Sequence, residues 1–453
     1  MQNLDIAKFG GTSVADYDSM SKCVKVVTDN PNTKLVVVSA CAGVTNLLVE
    51  LASGACDTDK CEEIIAKIFA IHQAIFSKLP DSAKHEAVIK EYLTVVRDLA
   101  RQASMTRTDK ITDRLVSHGE LMSSYLITEI FKQQGFAATC FDVRQIMRTN
   151  SNFGKASPLV EVIATLTKQI LLPQLDGNTI IVTQGFIGAD TDGQTTTLGR
   201  GGSDYSAALL GESCHAKTIS IWTDVPGVYT TDPRLVDAAK PINELTYLEA
   251  AEMATFGAKI LHPSTLVPAV RCDIPVYVGS SKEPEKGGTW VRPTTEYAPS
   301  FRAVALRKNQ TLIVLSSPKM IGATGFLAQV FTIFAKYNLS VDLVSTSEVS
   351  IAITLDAGTQ TSGISSLPEA LLHDLREFCH VKVEHGLALV AVIGNNMART
   401  AHITDEVFSA IDDYAVRMIC YGASSHNLCF LVSEAEAIPV LQKLHQRLLE
   451  KQD

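Results

Sequence analysis

Three stretches of the chain concentrate residue types that could handle an anionic ligand. Lys8-Phe9-Gly10-Gly11-Thr12-Ser13 follows Leu4–Ala7, a run that reads as a buried strand. Glycines after a strand let backbone N–H groups close on a phosphate, and a helix start behind them adds a favourable dipole. Lys8 would then reach a terminal phosphate. The lysine precedes the glycines, so this is not a P-loop, and a plain turn has the same composition. The second stretch, Thr195–Asp204 (Thr-Thr-Thr-Leu-Gly-Arg-Gly-Gly-Ser-Asp), sets Arg200 among glycines before a helical pattern. Its guanidinium offers a planar fork for a carboxylate or phosphate. Capping by Ser203 or Asp204 would explain one of those residues, but not the arginine. The third, Trp222–Arg234, contains the turn dipeptides Pro226-Gly227 and Asp232-Pro233. It is either a long connector or a nucleotide-pocket wall carrying Thr223, Asp224, Tyr229 and Arg234.

Two further motifs are ambiguous by themselves. Ser117-His-Gly-Glu120 opens a helix through Leu121–Phe131, where an early glutamate is favourable without any function. Lys259, within Glu252–Pro263, reads by itself as a solvated helix charge, the usual outcome for such a lysine. Asp190-Thr-Asp192-Gly193 resembles the start of a calcium loop but lacks the later acidic ligands, so it reads as a turn. Ten cysteines scatter from Cys23 to Cys429 without a C-x-x-C pair. Free thiols and no protein-held metal are expected.

These motifs need elements to hold them. Leu4–Ala7, Leu35–Val38, Thr179–Val182, Thr218–Trp222 and Ile274–Val278 read as short buried strands. Between them, Lys60–Leu79 and Ala87–Ala103 carry apolar residues at helical spacing. Alternating strands and helices predict an α/β fold with a mostly parallel sheet, whose ligands bind beyond the strands' carboxyl ends. At roughly 150 residues per domain, 453 residues suggest about three domains. A boundary is expected near Lys282–Ser300, rich in Pro, Gly and charge. Beyond it an offset of 77 residues aligns Phe326, Phe331, Leu339, Val341, Ile351 and Ile353 with Ile403, Phe408, Val416, Met418, Leu428 and Phe430. That repeat predicts a duplicated α+β module.

The net charge of −9 gives no electrostatic footprint for nucleic acid. The longest apolar stretch, Leu35–Val49, is too short and polar to span a membrane. With no basic-then-apolar leader pattern at the first residues, a cytoplasmic protein is expected.

Taken in order, Lys8–Val14, Ser117–Glu120, Gln184–Gly188, Thr195–Asp204 and Thr223–Arg234 closely resemble the aspartokinases of the amino-acid kinase family, with the lysine-sensitive monofunctional class most similar. The resemblance implies a three-layer αβα kinase core (residues 1–295) and two ACT regulatory modules (300–453). These modules span about 310–384 and 386–450, and in this family they are commonly interleaved. It implies ATP-dependent phosphorylation of the L-aspartate β-carboxylate, with Mg²⁺ held mainly by ATP phosphates and no protein metal site. It assigns catalysis to Lys8, Asp204 and Arg200, and the nucleotide to Lys8, Gly10, Gly11, Thr12, Thr223, Asp224, Tyr229, Arg234 and Lys259. Aspartate would meet Thr45, Glu120, Phe186, Arg200, Gly201 and Ser203. Inhibitory L-lysine would meet Met320, Gly325, Phe326, Leu327, Ser340, Val341, Asp342, Ser347 and Glu348. Ala323 stands where close relatives are expected to carry a serine. A homodimer or larger oligomer through the ACT modules is implied. The rival readings are another amino-acid kinase, or a non-catalytic amino-acid sensor with a degenerate kinase domain.

Overall fold

The computed structural model describes residues 3–175, 177–257, 261, 263–355 and 367–450. The chain divides into two compact units: Met1–Val228, Pro241–Ala254 and Lys259–Thr295 form the first, and Tyr229–Lys240, Thr255–Ala258 and Glu296–Asp453 the second. The continuous 1–295 stretch expected from sequence therefore gives up two short segments to the second unit.

The first unit is built on an eight-stranded sheet in the order Glu244–Thr246, Gly288–Arg292, Val276–Ser280, Thr218–Thr223, Asp5–Phe9, Thr33–Val38, Ile180–Gln184, Ala138–Phe141. The last six run parallel, and the first two run the opposite way. Alternate residues of the central strands go to opposite faces. Ala7, Phe9, Val36, Val38 and Val182 enter a core with the helices Tyr17–Thr28, Thr58–Phe76 and His118–Gln133. Ile6, Leu35, Val37, Ile181 and Ile219, out of that cluster, are just as fully buried. With both faces covered, these strands read as continuous β-branched runs, which is why they were legible. The Asp190–Gly193 segment is a hairpin turn between Ile187–Ala189 and Thr195–Thr197.

The second unit is a six-stranded antiparallel sheet in the order Val341–Thr346, Ser350–Leu355, Ala303–Ser316, His380–Ile393, Asn427–Ser433, Met418–Tyr421. The two 14-residue strands Ala303–Ser316 and His380–Ile393 pair along their whole length and start 77 residues apart. The helices at Phe326 and Ile403, and the strands at Val341 and Met418, begin at the same offset. The repeat is thus a repeat of elements, not chance alignment. Two cores form. Ile313, Leu315, Val330, Phe334, Ile351 and Leu371 make one. Val304, Val390, Ile403, Phe430 and Leu441 make the other, together with Phe301 and Val236. Ala303–Ser316 thus serves both cores, so the second takes residues from outside the expected 386–450 span.

Candidate active site

In the first unit, adjacent parallel strands deliver their carboxyl ends to one cavity of about 430 Å³. Lys8 comes from Asp5–Phe9, Ser39 to Gly43 from the turn after Thr33–Val38, and Phe186 from the turn after Ile180–Gln184. Helices complete it: Val44–Ala52 brings Thr45 and Asn46, His118–Gln133 brings Glu120, and Gly202–Cys214 brings Ser203 and Asp204. Gly11, Gly199, Arg200 and Gly201 also line it.

Close backbone approach explains the glycines. A Cβ on Gly185 would lie 2.6 Å from the Ser203 Cβ, and one on Gly11 only 2.9 Å from the Ala40 carbonyl oxygen. Phe186 holds a left-handed backbone (φ 69°), a conformation costing about 1–3 kcal/mol in a non-glycine residue. It is over-determined locally: its N–H donates to Ser206 Oγ (3.0 Å), and its carbonyl accepts from the Leu198 N–H (2.9 Å).

The helices Val44–Ala52 and Gly202–Cys214 both start from left-handed glycines, Gly43 and Gly201, with no side-chain cap. Capping by Ser203 or Asp204 is therefore not what this motif does; both lie inside the first turn. Uncapped first-turn N–H groups favour an anion.

Lys8 and Glu120 are buried, and Lys8 is paired. Lys8 is 7% exposed, and its Nζ lies 2.5 Å from Asp204 Oδ1. Glu120 is 3% exposed. Its Oε1 accepts from the Ala40 N–H (3.2 Å), while its Oε2 is buried with no hydrogen-bond partner. Burial pushes the Glu120 carboxyl up to about 8, against smaller opposing effects from the Ala40 amide and Lys8. A helix-start charge with no function would sit in water; this one faces a cavity unsatisfied. Burial also pushes the Cys41 thiol up to about 12, which leaves it a neutral wall rather than a nucleophile.

Of the sequence candidates, Lys8, Gly11, Thr45, Glu120, Phe186, Arg200, Gly201, Ser203 and Asp204 meet here. The Gly10 N–H does not point to a ligand, because it donates to the Trp222 carbonyl (3.0 Å). Thr12 is exposed and outside the lining. Thr223 and Asp224 lie at the end of Thr218–Thr223 in the first unit, whereas Tyr229 and Arg234 belong to the second. Arg234 is largely exposed and folds back on Asp232. Lys259 lies outside the described residues. Ser39, Ala40, Cys41 and Asn46 line the cavity but were missed; their position just past a buried strand was the available signal.

The effector candidates lie in the second unit. Gly325 caps the helix Phe326–Lys336 with φ 85° and no side-chain bond. Ser340, Ser347, Glu348 and Leu327 are exposed, while Met320, Phe326 and Val341 are half-buried. Asp342, expected to stand ready for an ammonium group, is already ion-paired with Arg307. The Ala323 N–H donates to the Met320 carbonyl (3.1 Å). Among the described residues no three His, Cys, Asp or Glu side chains are placed to hold a metal ion, and no helix is long and apolar enough to cross a membrane.

Comparison with known proteins agrees with this geometry. Residues 4–280 match the amino acid kinase family and residues 390–448 the ACT domain. The chain is 52% identical to Lysine-sensitive aspartokinase 3 of Escherichia coli (strain K12), over 99% of this chain and 100% of that one. It is 33% identical to the chloroplastic Aspartokinase 1 of Arabidopsis thaliana, over 99% of this chain and 80% of the relative. The crystal structure of E. coli aspartokinase III in complex with aspartate and ADP, in the R-state, superposes with a TM-score of 0.91 at 52% identity, covering 98% and 99% of the two chains. Its complex with lysine and aspartate, in the T-state, gives 0.84, covering 99% and 100%. The chain therefore belongs to the amino acid kinase family, among its aspartokinases.

Proposed function

We propose that this chain transfers the γ-phosphoryl group of ATP to the β-carboxylate of L-aspartate, giving 4-phospho-L-aspartate and ADP, in the cytoplasm. In this reading residues 1–295 catalyse and 300–453 regulate, with L-lysine as inhibitor and the ACT modules as the oligomer interface. The observation that carries it is the cavity itself: one buried cation, one buried unsatisfied carboxylate and one exposed guanidinium around two uncapped helix starts.

The nucleophile needs no base, since a carboxylate with a pKa of about 3.9 is ionised at neutral pH. Phosphoryl transfer then requires alignment and charge neutralisation. Lys8, oriented by Asp204, supplies charge to the migrating group, and the Gly11 backbone lets the phosphates come close. Glu120 takes the substrate ammonium and Arg200 its α-carboxylate, with Thr45, Gly201, Ser203 and Phe186 shaping the remainder. By resemblance, Thr223, Asp224, Tyr229, Arg234 and Lys259 meet the nucleotide. Asp204 is engaged with Lys8, so Mg²⁺ fits as an ion carried by ATP phosphates, whose charge it neutralises when bound. For the effector, Asp342 and Glu348 take the ammonium groups of lysine, alongside Met320, Gly325, Phe326, Leu327, Ser340, Val341 and Ser347.

Aspartate-dependent ADP release tests this. Release that requires aspartate and falls with added lysine supports it. Release with glutamate instead points to another amino-acid kinase, and no release with any amino acid points to a sensor.

A further inference from the structure

The Arg200 guanidinium has no hydrogen bond or ion pair of its own among the described residues, and left-handed glycines flank it on both sides: Gly199 (φ 75°) and Gly201 (φ 72°). A side chain on so permissive a backbone needs an anchor elsewhere if it is to meet a carboxylate bidentately, since misplacement by about 1 Å costs binding and rate heavily. A built anchor tied to this loop through Thr197 is Asp113, on the helix Asp109–Val116 and 1% exposed. Its Oδ1 accepts from Thr197 Oγ1 (2.7 Å), and its Oδ2 accepts from the N–H groups of Thr197 and Gly154 (2.9 Å each). Thr197 ends the strand three residues before Arg200. Gly154 reaches the same loop from the other side: a Cβ on Gly199 would lie 3.4 Å from its carbonyl oxygen. One buried carboxylate thus ties together the two segments between which Gly199 is set.

An ordinary packing role would not need a charge. Burial pushes the Asp113 carboxyl above its usual range, and the donors from Gly154 and Thr197 oppose that. A buried acid satisfied by three donors from two distant segments is costly to build and fixes their spacing. We propose that Asp113 is a positioning residue for substrate binding: through Thr197 and Gly154 it sets the loop that presents Arg200 to the α-carboxylate of the amino-acid substrate. This rests on the assignment of Arg200 to that carboxylate.

The test is a double-mutant cycle on the full chain, with KM for aspartate, KM for ATP and kcat measured separately. Asp113→Asn raises the aspartate KM about tenfold or more, the scale of a hydrogen bond to a charged group. The ATP KM stays within about twofold, against a general loss of fold. Thr197→Val, which keeps the backbone bonds, raises the aspartate KM less, and Thr197→Ser restores it. In an Arg200→Ala background Asp113→Asn adds nothing further, because both act through one contact. The proposal is overturned if Asp113→Asn and Thr197→Val leave the aspartate KM unchanged. It also fails if the Asp113→Asn increment persists undiminished without Arg200, or if both KM values and kcat deteriorate together. An Arg200→Ala enzyme with normal aspartate KM would instead remove the assignment on which this rests.

Discussion

The catalytic cavity and the effector region contrast in how their charges are held. In the first unit Lys8 and Glu120 are buried, Lys8 is fixed by Asp204, and the strand ends that carry the site are sheet neighbours. In the second unit the effector candidates are exposed or half-buried, and the central acid, Asp342, is already matched by Arg307. A preorganised site spends stability to keep charge out of water and gains transition-state stabilisation from it. A regulatory site must instead prefer one of two states by a modest margin. An acid with an internal cation partner suits that second role, because an incoming ammonium group exchanges one partner for another.

That contrast can be broken at its strongest point first. Lys8→Met removes the only buried cation among the described residues that line the cavity, and kcat should fall about 10³-fold or more with the fold retained by circular dichroism. An active Lys8→Met enzyme in a hydroxamate assay would refute the preorganised reading. Next comes Glu120. With its carboxyl pushed up to about 8 by burial, it must lose a proton to meet an ammonium group. The aspartate KM should therefore fall about tenfold per pH unit between pH 6 and 8 and flatten above. Glu120→Gln should weaken aspartate binding and abolish that slope; a pH-independent KM in the wild type argues against the role.

A smaller effect is expected in the regulatory region. Arg307→Ala frees Asp342, so half-inhibition should need less lysine, by up to about fivefold for a pair worth about 1 kcal/mol. An increase in the lysine required would mean that Arg307 supports the effector rather than competing with it. The smallest effect is on stability. Between pH 4.5 and about 8 the folded state keeps the Glu120 proton that the unfolded chain has released. Stability lent by that proton is present below 4.5 and lost as pH rises through the window. Glu120→Gln should raise the Tm of the ligand-free protein at pH 8 by a few degrees and leave it unchanged near pH 4, as read by calorimetry.

Much of the first unit was readable because doubly covered strands leave unbroken β-branched runs, as in Leu35–Val38, and because site motifs fall just after them. The 77-residue repeat was readable because identical elements demand apolar residues at identical positions. Other features depend on contacts between distant segments. The commitment of the Gly10 amide to Trp222, the Arg307–Asp342 pair and the sharing of Ala303–Ser316 between two cores all arise from non-local pairings. Asp113 looked like any helix residue, since its partners lie 41 and 84 positions away. The cavity's neutral wall, Ser39 to Cys41 with Asn46, had no charge or glycine signature to single it out.

The most direct test follows the Glu120 proton. Titrating aspartate into the protein at pH 7, in buffers of differing ionisation enthalpy, reads protons released per molecule bound. Release of nearly one proton by the wild type, and none by Glu120→Gln, is the predicted result. Equal release by both, or none by the wild type, would contradict the account.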